Sequence, residues 1–440
     1  MNWKGDGLTI FAPASGAGRA AIAVIRVSGP DAARAIERLA GPLPAPRFAA
    51  YRTLRGHDAE ILDHALVLWF PGPNSFTGED SAEFHVHGGR AVVKAVLAQL
   101  AGIEGLRPAL PGEFARRAVV NGKMKLEAAE ALADLIDSET EQQRRAALRS
   151  RDGEFGRQLS AWSQGLLEIS AELESNIDFS DEDDVDHVRW DHITLELRQM
   201  ASDMRRAIDG CERAEKLRNG LNVVLAGAPN VGKSSLLNAL SKRDSAIISA
   251  IPGTTRDVIE VALEIDGYPV VLIDTAGLRE TSDELEGEGI ARTRKRLSQA
   301  DLVLWLDDGF GFVDGMNFAD TTVWRIATKL DMRPDVKEMD ADLAISSVDG
   351  TNIEALLNRI GRFASECFHT DGSEVRVRHK TGLRDAMGRV ALLADEAGDL
   401  PVEIAAEELR WARQALTELS TAMDTEAVFD LVFSRFCIGK

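Results

Sequence analysis

The sequence predicts a multidomain protein: an α+β N-terminal domain, then a discontinuous α-helical domain with an α/β P-loop domain of the Ras-like kind inserted into it. Three observations carry this reading. The 440 residues exceed what one hydrophobic core usually organises. The spacing of apolar positions changes along the chain, from strand-like to helical, then to short apolar runs alternating with helices, then to helical again. A glycine-rich string at Gly227–Ser234 stands between an apolar run and a helical one.

Residues 1–121 mix the β-rich runs Ala21–Val27, Ala65–Phe70 and Ala82–Val86 with turn clusters such as Pro71-Gly-Pro-Asn-Ser75. In residues 122–217 the composition shifts to Ala, Leu, Glu and Gln. Phe155, Leu159, Trp162, Leu166, Ile169, Leu173 and Ile177 recur there at alternating spacings of four and three, which places them on one stripe of a long helix. The acidic run Asp181–Asp184 reads as a solvated turn, since no glycine or spaced ligands follow it, and Leu197, Met200, Met204 and Ile208 continue as a second helix. Within residues 218–371 the runs Val223–Ala226, Val270–Ile273, Leu302–Leu306, Val323–Ala327 and Leu343–Ile345 alternate with helical segments, the signature of a mostly parallel sheet with crossover helices. Residues 372–440 are helical again, with Leu409, Ala412, Leu416, Leu419 and Met423 on one stripe. Stripes of that width need a partner, so helices from both sides of the α/β insertion are expected to pack into one bundle.

The apolar and charged fractions, 45% and 28%, are those of an ordinary soluble globular protein. The first residues carry Lys4 and Asp6 without a basic n-region, and no apolar run approaches the roughly 18 residues of a membrane span. Cys211, Cys367 and Cys437 lie far apart without a C-x-x-C pair, which argues against disulfides or structural zinc. A cytoplasmic protein with no membrane segment is expected. The formal charge of −20 opposes nucleic-acid binding by bulk electrostatics, so any RNA contact needs a local patch or a partner protein. His85 and His87 alternate on one strand face without a third ligand and do not read as a metal site.

Directly after the run Leu221–Ala226 comes Gly227-Ala-Pro-Asn230-Val231-Gly232-Lys233-Ser234-Ser235, leading into a helical segment. This strand, loop and helix context is what a phosphate loop requires: backbone N–H groups converge on phosphate oxygens, Lys233 neutralises charge and Ser234 ligates magnesium. Asp274-Thr275-Ala276-Gly277 ends one strand, placing a carboxylate near the magnesium and a flexible glycine near the γ-phosphate. Thr328-Lys329-Leu330-Asp331 ends another, where Asp331 accepts from guanine N1 and its exocyclic amine; adenine offers no such pair, so the nucleotide is GTP. Ser346-Ser347 fits a base-contacting loop, and Gly253-Thr254-Thr255-Arg256-Asp257 offers hydroxyls for magnesium. Leu278 stands where Ras-like enzymes carry the water-positioning glutamine, which leaves the carboxylates of Asp283-Glu284-Leu285-Glu286 and the amide of Asn230 as local alternatives.

With Ile25-Arg26-Val-Ser-Gly29, Phe76-Thr-Gly-Glu-Asp80, His87-Gly-Gly89, Pro111-Gly-Glu-Phe114, Ala133-Asp-Leu-Ile136 and the terminal Cys437-Ile-Gly-Lys440, the whole chain resembles the tRNA modification GTPase family known as MnmE or TrmE. The resemblance implies a folate-binding, dimer-forming N-terminal domain, a helical domain and a G domain that pairs across its switch face. It implies a homodimer, a flavoprotein partner of the MnmG or GidA type, and a carboxymethylaminomethyl group installed on the wobble uridine of tRNA. A tetrahydrofolate derivative, formyl- or methylene-tetrahydrofolate, would meet Arg26, Glu83, Lys123 and Lys440. Magnesium would meet Ser234 and Thr255; potassium would meet Asn230, Ser249, Ile251 and Thr254, on the loop Ser249-Ala250-Ile251-Pro252-Gly253-Thr254-Thr255; Glu286 would orient the attacking water. Cys437 is a nucleophile or a packed thiol, and no neighbouring base in the sequence decides between the two. Arg256 and Arg279 are the alternative charge-neutralising groups.

The chain departs from the family pattern in three places. Thr328 replaces the usual Asn of the guanine motif, as in Rho-type GTPases; Phe76 replaces a Tyr; and the segment between Asp308 and Thr322 is too short for a crossover helix. A ribosome-assembly or RNA-binding switch GTPase is the competing reading; it predicts a basic RNA-binding appendage, which neither the overall acidic balance nor the terminal Cys-Ile-Gly-Lys supports.

Overall fold

The computed structural model describes residues 6–178, 189–242, 259–274, 300–308, 321–332, 340–368, 376–396, 400–421, 426–434, 436 and 438–439. The chain divides into two compact units, Met1–Ala133 with Glu418–Lys440, and Asp134–Thr417.

The first unit is built on strands β1 (Thr9–Pro13), β2 (Ala20–Ser28), β3 (Ala50–Arg55), β4 (Ile61–Phe70), β5 (Ser81–Gly88) and β6 (Leu106–Pro108), in the order β3-β4-β5-β2-β1-β6. Helices α1 (Ala32–Ala40) and α2 (Arg90–Ala101) cover one face. Alternation decides which side chains meet them: Ile25, Val27, Val67, Phe84 and Val86 point into a core with Ile36, Leu39, Val96 and Leu100. The intervening residues Ile22, Arg26, Leu66, Glu83 and His85 lie on the other face, where Ile22 is 58% and Leu66 40% exposed. After α3 (Glu113–Val120) comes α4 (Leu126–Asp137), and Leu126 and Ala129 of α4 share a small core with Val432, Phe433 and Phe436 from the C-terminal end of the chain.

In the second unit α5 (Glu141–Arg151), α6 (Glu154–Asp178) and α7 (Trp190–Asn219) precede the α/β segment. That segment comprises β7 (Leu221–Gly227), α8 (Lys233–Ser241), β8 (Ile259–Ile265), β9 (Tyr268–Asp274), β10 (Leu302–Asp307), β11 (Thr322–Ala327), β12 (Leu343–Ala344) and α9 (Ile353–Phe368). Then come α10 (Val377–Glu396) and α11 (Val402–Thr421), and α12 (Glu426–Phe433) returns to the first unit. The expected stripe is buried on α6 from Phe155 to Leu173, each of its members below 8% exposure, while Ile177 at the helix end is half-buried. Helices from the two sides of the insertion do pack together. Phe155 of α6 stacks on His379 of α10 at 5.1 Å, and Lys380 of α10 pairs with Glu212 of α7 at 2.5 Å. Burial, with the charges of Arg378 and Arg376, holds the His379 imidazole down to about 3. It is therefore neutral at pH 7, as a ring inside a helical core has to be.

The α/β sheet has the order β12-β11-β10-β7-β9-β8, all parallel except β8. Every residue of the central strand Leu302–Asp307 is buried, because helices and neighbours cover both faces of a parallel sheet and a continuous apolar run results. The edge strand β8 was missed by a search for such runs. Its inward Val261, Leu263 and Ile265 alternate with Glu260, Ala262 and Glu264, the pattern of a half-covered antiparallel edge. Met423, the acidic run at Asp181–Asp184 and the short segment after Asp308 lie outside the described residues.

Candidate functional site

Strand order reverses around β7, whose neighbours are β10 and β9, so a crevice opens at the carboxyl end of β7, where the phosphate loop begins. Gly227 has φ 139°, and a Cβ there would lie 2.3 Å from the Leu306 carbonyl oxygen, so only glycine lets the loop turn this close to β10. Lys233 is 7% exposed, and its Nζ donates to the carbonyls of Gly227 (3.0 Å) and Ala228 (2.8 Å), holding the ammonium over the loop. Ser234 Oγ donates to Asp274 Oδ2 at 3.0 Å, and Asp274 is 1% exposed. Two hard oxygen ligands from strings 40 residues apart thus stand one hydrogen bond from each other, a donor set that suits magnesium. Val231 is buried, Gly232 caps α8, Asn230 is exposed on the loop at φ 62°, and Ser235 is exposed on the first turn of α8.

The base-side motif is tied to the phosphate loop by the residue that departs from the family pattern. Thr328 is 2% exposed, and its hydroxyl donates to the Val231 carbonyl at 2.7 Å, so the threonine closes a link between the two loops. Lys329, at φ 59°, pairs with Asp308 at 2.5 Å. Leu330 is buried, which turns Asp331 outward, and Ser346 Oγ donates to Asp331 Oδ1 at 2.8 Å. Ser346 is itself fixed by the N–H groups of Val348 and Asp349, whereas Ser347 is half-buried beside it. The carboxylate is thereby held in one orientation by its own loop neighbours. Asp331→Asn is expected to shift preference from guanosine to xanthosine nucleotides, because the amide donates where xanthine's extra carbonyl accepts. Competition binding checks this, and unchanged GTP affinity would remove Asp331 as the base reader.

Ser249, Ala250, Ile251, Pro252, Gly253, Thr254, Thr255, Thr275, Ala276, Gly277, Glu286, Cys437 and Lys440 lie outside the described residues, as do Arg256 and Arg279.

A second cluster occupies the face of the N-terminal sheet opposite α1 and α2, where Phe114 of α3 packs against Ile10 and Ala12. The antiparallel register sets Arg26 opposite Glu83, and Glu83 Oε1 accepts from Arg26 Nε (3.1 Å) and Nη2 (3.0 Å). The guanidinium lies 5.2 Å from the Phe76 ring and 5.9 Å from the Phe114 ring, so two aromatic faces flank the cation. The family-like strings around these rings serve to hold them. Glu113, 1% exposed, accepts from Arg107, Arg117 and the Leu110 N–H; burial raises its pKa, and these donors together outweigh burial and leave it lowered. Arg117 also reaches Glu79, and Glu79 accepts from Ser28 at 2.7 Å. Lys123 is exposed, and its stem packs over Gly78, two residues from Phe76.

The chain's C-terminal end arrives at the same place. Arg116 pairs with Asp430 at 2.8 Å and lies over Phe429; Phe429, Phe433 and Phe436 pack in series; and Gly439 follows against β1. A Cβ at Gly439 would sit 1.8 Å from the Pro13 carbonyl oxygen, and Pro13 neighbours Ala12, the register partner of Arg26. Phe114 and His85, which closes on Glu83 at 3.1 Å, were missed as site residues. Phe114 lies 88 positions from Arg26, and no local spacing signals such a contact. The alternation of Glu83 and His85 on one strand was a signal that could have found the second.

A family model described as the MnmE helical domain matches residues 126–437, and one described as the GTP-binding protein TrmE N-terminus matches residues 9–123. The chain is 50% identical over 439 residues to the tRNA modification GTPase MnmE of Methylorubrum populi, covering 98% of both chains. It is 47% identical over 435 residues to the tRNA modification GTPase MnmE of Beijerinckia indica, covering 98% of this chain and 96% of that one. Among solved structures, the G domain of the T. maritima FeoB iron transporter aligns with 33% of this chain and 98% of its own, at 28% identity and a TM-score of 0.26.

Proposed function

The chain belongs to the MnmE family of tRNA modification GTPases and is a GTP hydrolase acting in tRNA modification; from that premise we propose how its two clusters divide the work. GTP is hydrolysed at the crevice of β7, β9 and β11, with magnesium on Ser234 and Thr255 and potassium on Asn230, Ser249, Ile251 and Thr254. Lys233 neutralises phosphate charge, Asp331 reads guanine beside Ser346 and Ser347, and Glu286 orients water. The Arg26–Glu83 cluster, with Lys123 and Lys440, holds formyl- or methylene-tetrahydrofolate, which when bound supplies the one-carbon unit. Together with a flavoprotein of the MnmG or GidA type in a heterotetramer, the homodimer adds carboxymethylaminomethyl at C5 of the wobble uridine. The division into residues 1–121, 122–217, 218–371 and 372–440 and a cytoplasmic location belong to the same reading.

The observation that carries this reading is the convergence of Arg26, Glu83, Phe76, Phe114 and the penultimate Gly439 on one sheet face. The donor set fits a reduced folate, since a guanidinium and a carboxylate complement a ring bearing N–H and carbonyl groups, and two phenyl rings supply apolar surface. The same face exposes Ile22, Leu66 and Tyr51, apolar surface suited to pairing two copies. Charge distribution supports an RNA contact at this end. Residues 1–125 carry 15 Lys and Arg against 11 Asp and Glu, a net +4, so all of the net negative charge resides in the rest of the chain. No helix among the described residues is long and apolar enough to cross a membrane.

Mass spectrometry of wobble nucleosides tests the proposal. tRNA from cells lacking this gene should have lost the carboxymethylaminomethyl uridine, and the intact gene should restore it. An unaltered nucleoside would return the switch-GTPase reading to first place.

A further inference from the structure

We propose that His85 is a positioning residue for the Arg26–Glu83 cluster: its Nε2–H fixes the Glu83 carboxylate so that one acceptor position on Oε2 meets the N–H edge of an aminopyrimidinone ring, such as that of a reduced folate. This rests on the folate reading above and adds a residue to it.

Geometry makes the case. Both N–H groups of Arg26 that reach Glu83 converge on Oε1, at 3.1 Å and 3.0 Å. Two bonds to one oxygen anchor that oxygen and leave the carboxylate able to turn about it. His85 Nε2 lies 3.1 Å from Oε2 and supplies the missing constraint. An ionised carboxylate only accepts, so the proton in this contact belongs to the imidazole nitrogen. A carboxylate offers about four lone-pair positions. Among the described residues Arg26 takes two and His85 one, leaving a single position, on the oxygen that His85 holds.

The sheet fixes His85 in turn. In the β2–β5 register Arg26 faces Glu83 and Val24 faces His85, while across β4 Leu66 lies opposite His85. Positions 83 and 85 share a strand face, so the imidazole can reach its neighbour without leaving the sheet surface. The side chains of Arg26, Glu83 and His85 are 25%, 20% and 28% exposed, which places the triplet in a partly dry setting where a charge-assisted bond holds direction.

The test measures binding of 5-formyl-tetrahydrofolate, the tetrahydropterin ring alone and p-aminobenzoylglutamate to the full-length protein, alongside thermal midpoints. His85→Leu should weaken binding of the folate and of the ring about tenfold, leaving p-aminobenzoylglutamate unchanged. His85→Gln, whose amide restores the N–H, should stay within about threefold of the parent. His85→Leu binding as tightly as the parent would overturn the role of His85, as would His85→Gln failing as badly as His85→Leu at an unchanged midpoint. A parent that binds no folate, or an Arg26→Ala protein that binds it as tightly as the parent, would overturn the folate reading and this inference with it.

Discussion

GTP turnover is expected to fall at least about a hundredfold when sodium replaces potassium at equal ionic strength, because the potassium ion proposed above would stand in the arginine-finger position and supply a share of the ~10³ to 10⁵ such a finger is worth. Leu278 stands where the water-positioning glutamine of Ras-like enzymes would be. Asn230 is the one proposed potassium ligand among the described residues, and its exposed side chain sits on the phosphate loop at φ 62°. Asparagine tolerates that left-handed conformation, whereas alanine would add strain of about 1–2 kcal/mol. Asn230→Gly is therefore the cleaner probe, since it keeps the backbone and removes the oxygen. The variant should bind GTP and lose the potassium response, and Glu286→Ala should bind GTP and lose turnover. Steady-state hydrolysis in matched chloride salts decides the matter. Equal rates in sodium and potassium, with an active Glu286→Ala protein, would transfer the role to Arg256 or Arg279.

Removing Cys437–Lys440 should abolish tRNA modification while leaving GTP hydrolysis nearly intact. The cut falls after the anchor: Phe429, Phe433 and Phe436 remain to pack α12 against its unit, and Arg116 keeps Asp430. What is lost is the segment that Gly439 carries onto Pro13, at the edge of the Arg26 cluster. Gly439→Ala offers a gentler version, since its Cβ would collide with the Pro13 carbonyl and lift the last residues away. Wobble-nucleoside analysis and GTPase assays on the same preparations separate the two activities. Loss of hydrolysis to the same degree would assign the tail to the G domain or to folding.

Much of the fold was legible because its signals are local. The stripe from Phe155 to Leu173, the fully apolar Leu302–Leu306 and the order strand, glycine loop, helix at Gly227 each follow from one element's own periodicity and burial. The edge strand β8 escaped because half-covered strands alternate, and Glu260 and Glu264 broke the apolar run. The nucleotide cluster was readable for a related reason. Parallel strands deliver their carboxyl ends to one crevice, so order along the chain becomes proximity in space, as between Ser234 and Asp274.

Short-range spacing dictates the element types apart from β8, the nucleotide motifs and their strand-end placement. Only the tertiary structure decided which distant side chains meet. Arg26 finds Glu83 through strand register, its aromatic flanks Phe76 and Phe114 through the Arg107–Glu113–Arg117–Glu79 network, and the penultimate Gly439 through three phenylalanines packed in series. Register and packing are properties of the assembled sheet and its core. No periodicity along one segment records them, because the free energy that selects them arises between segments.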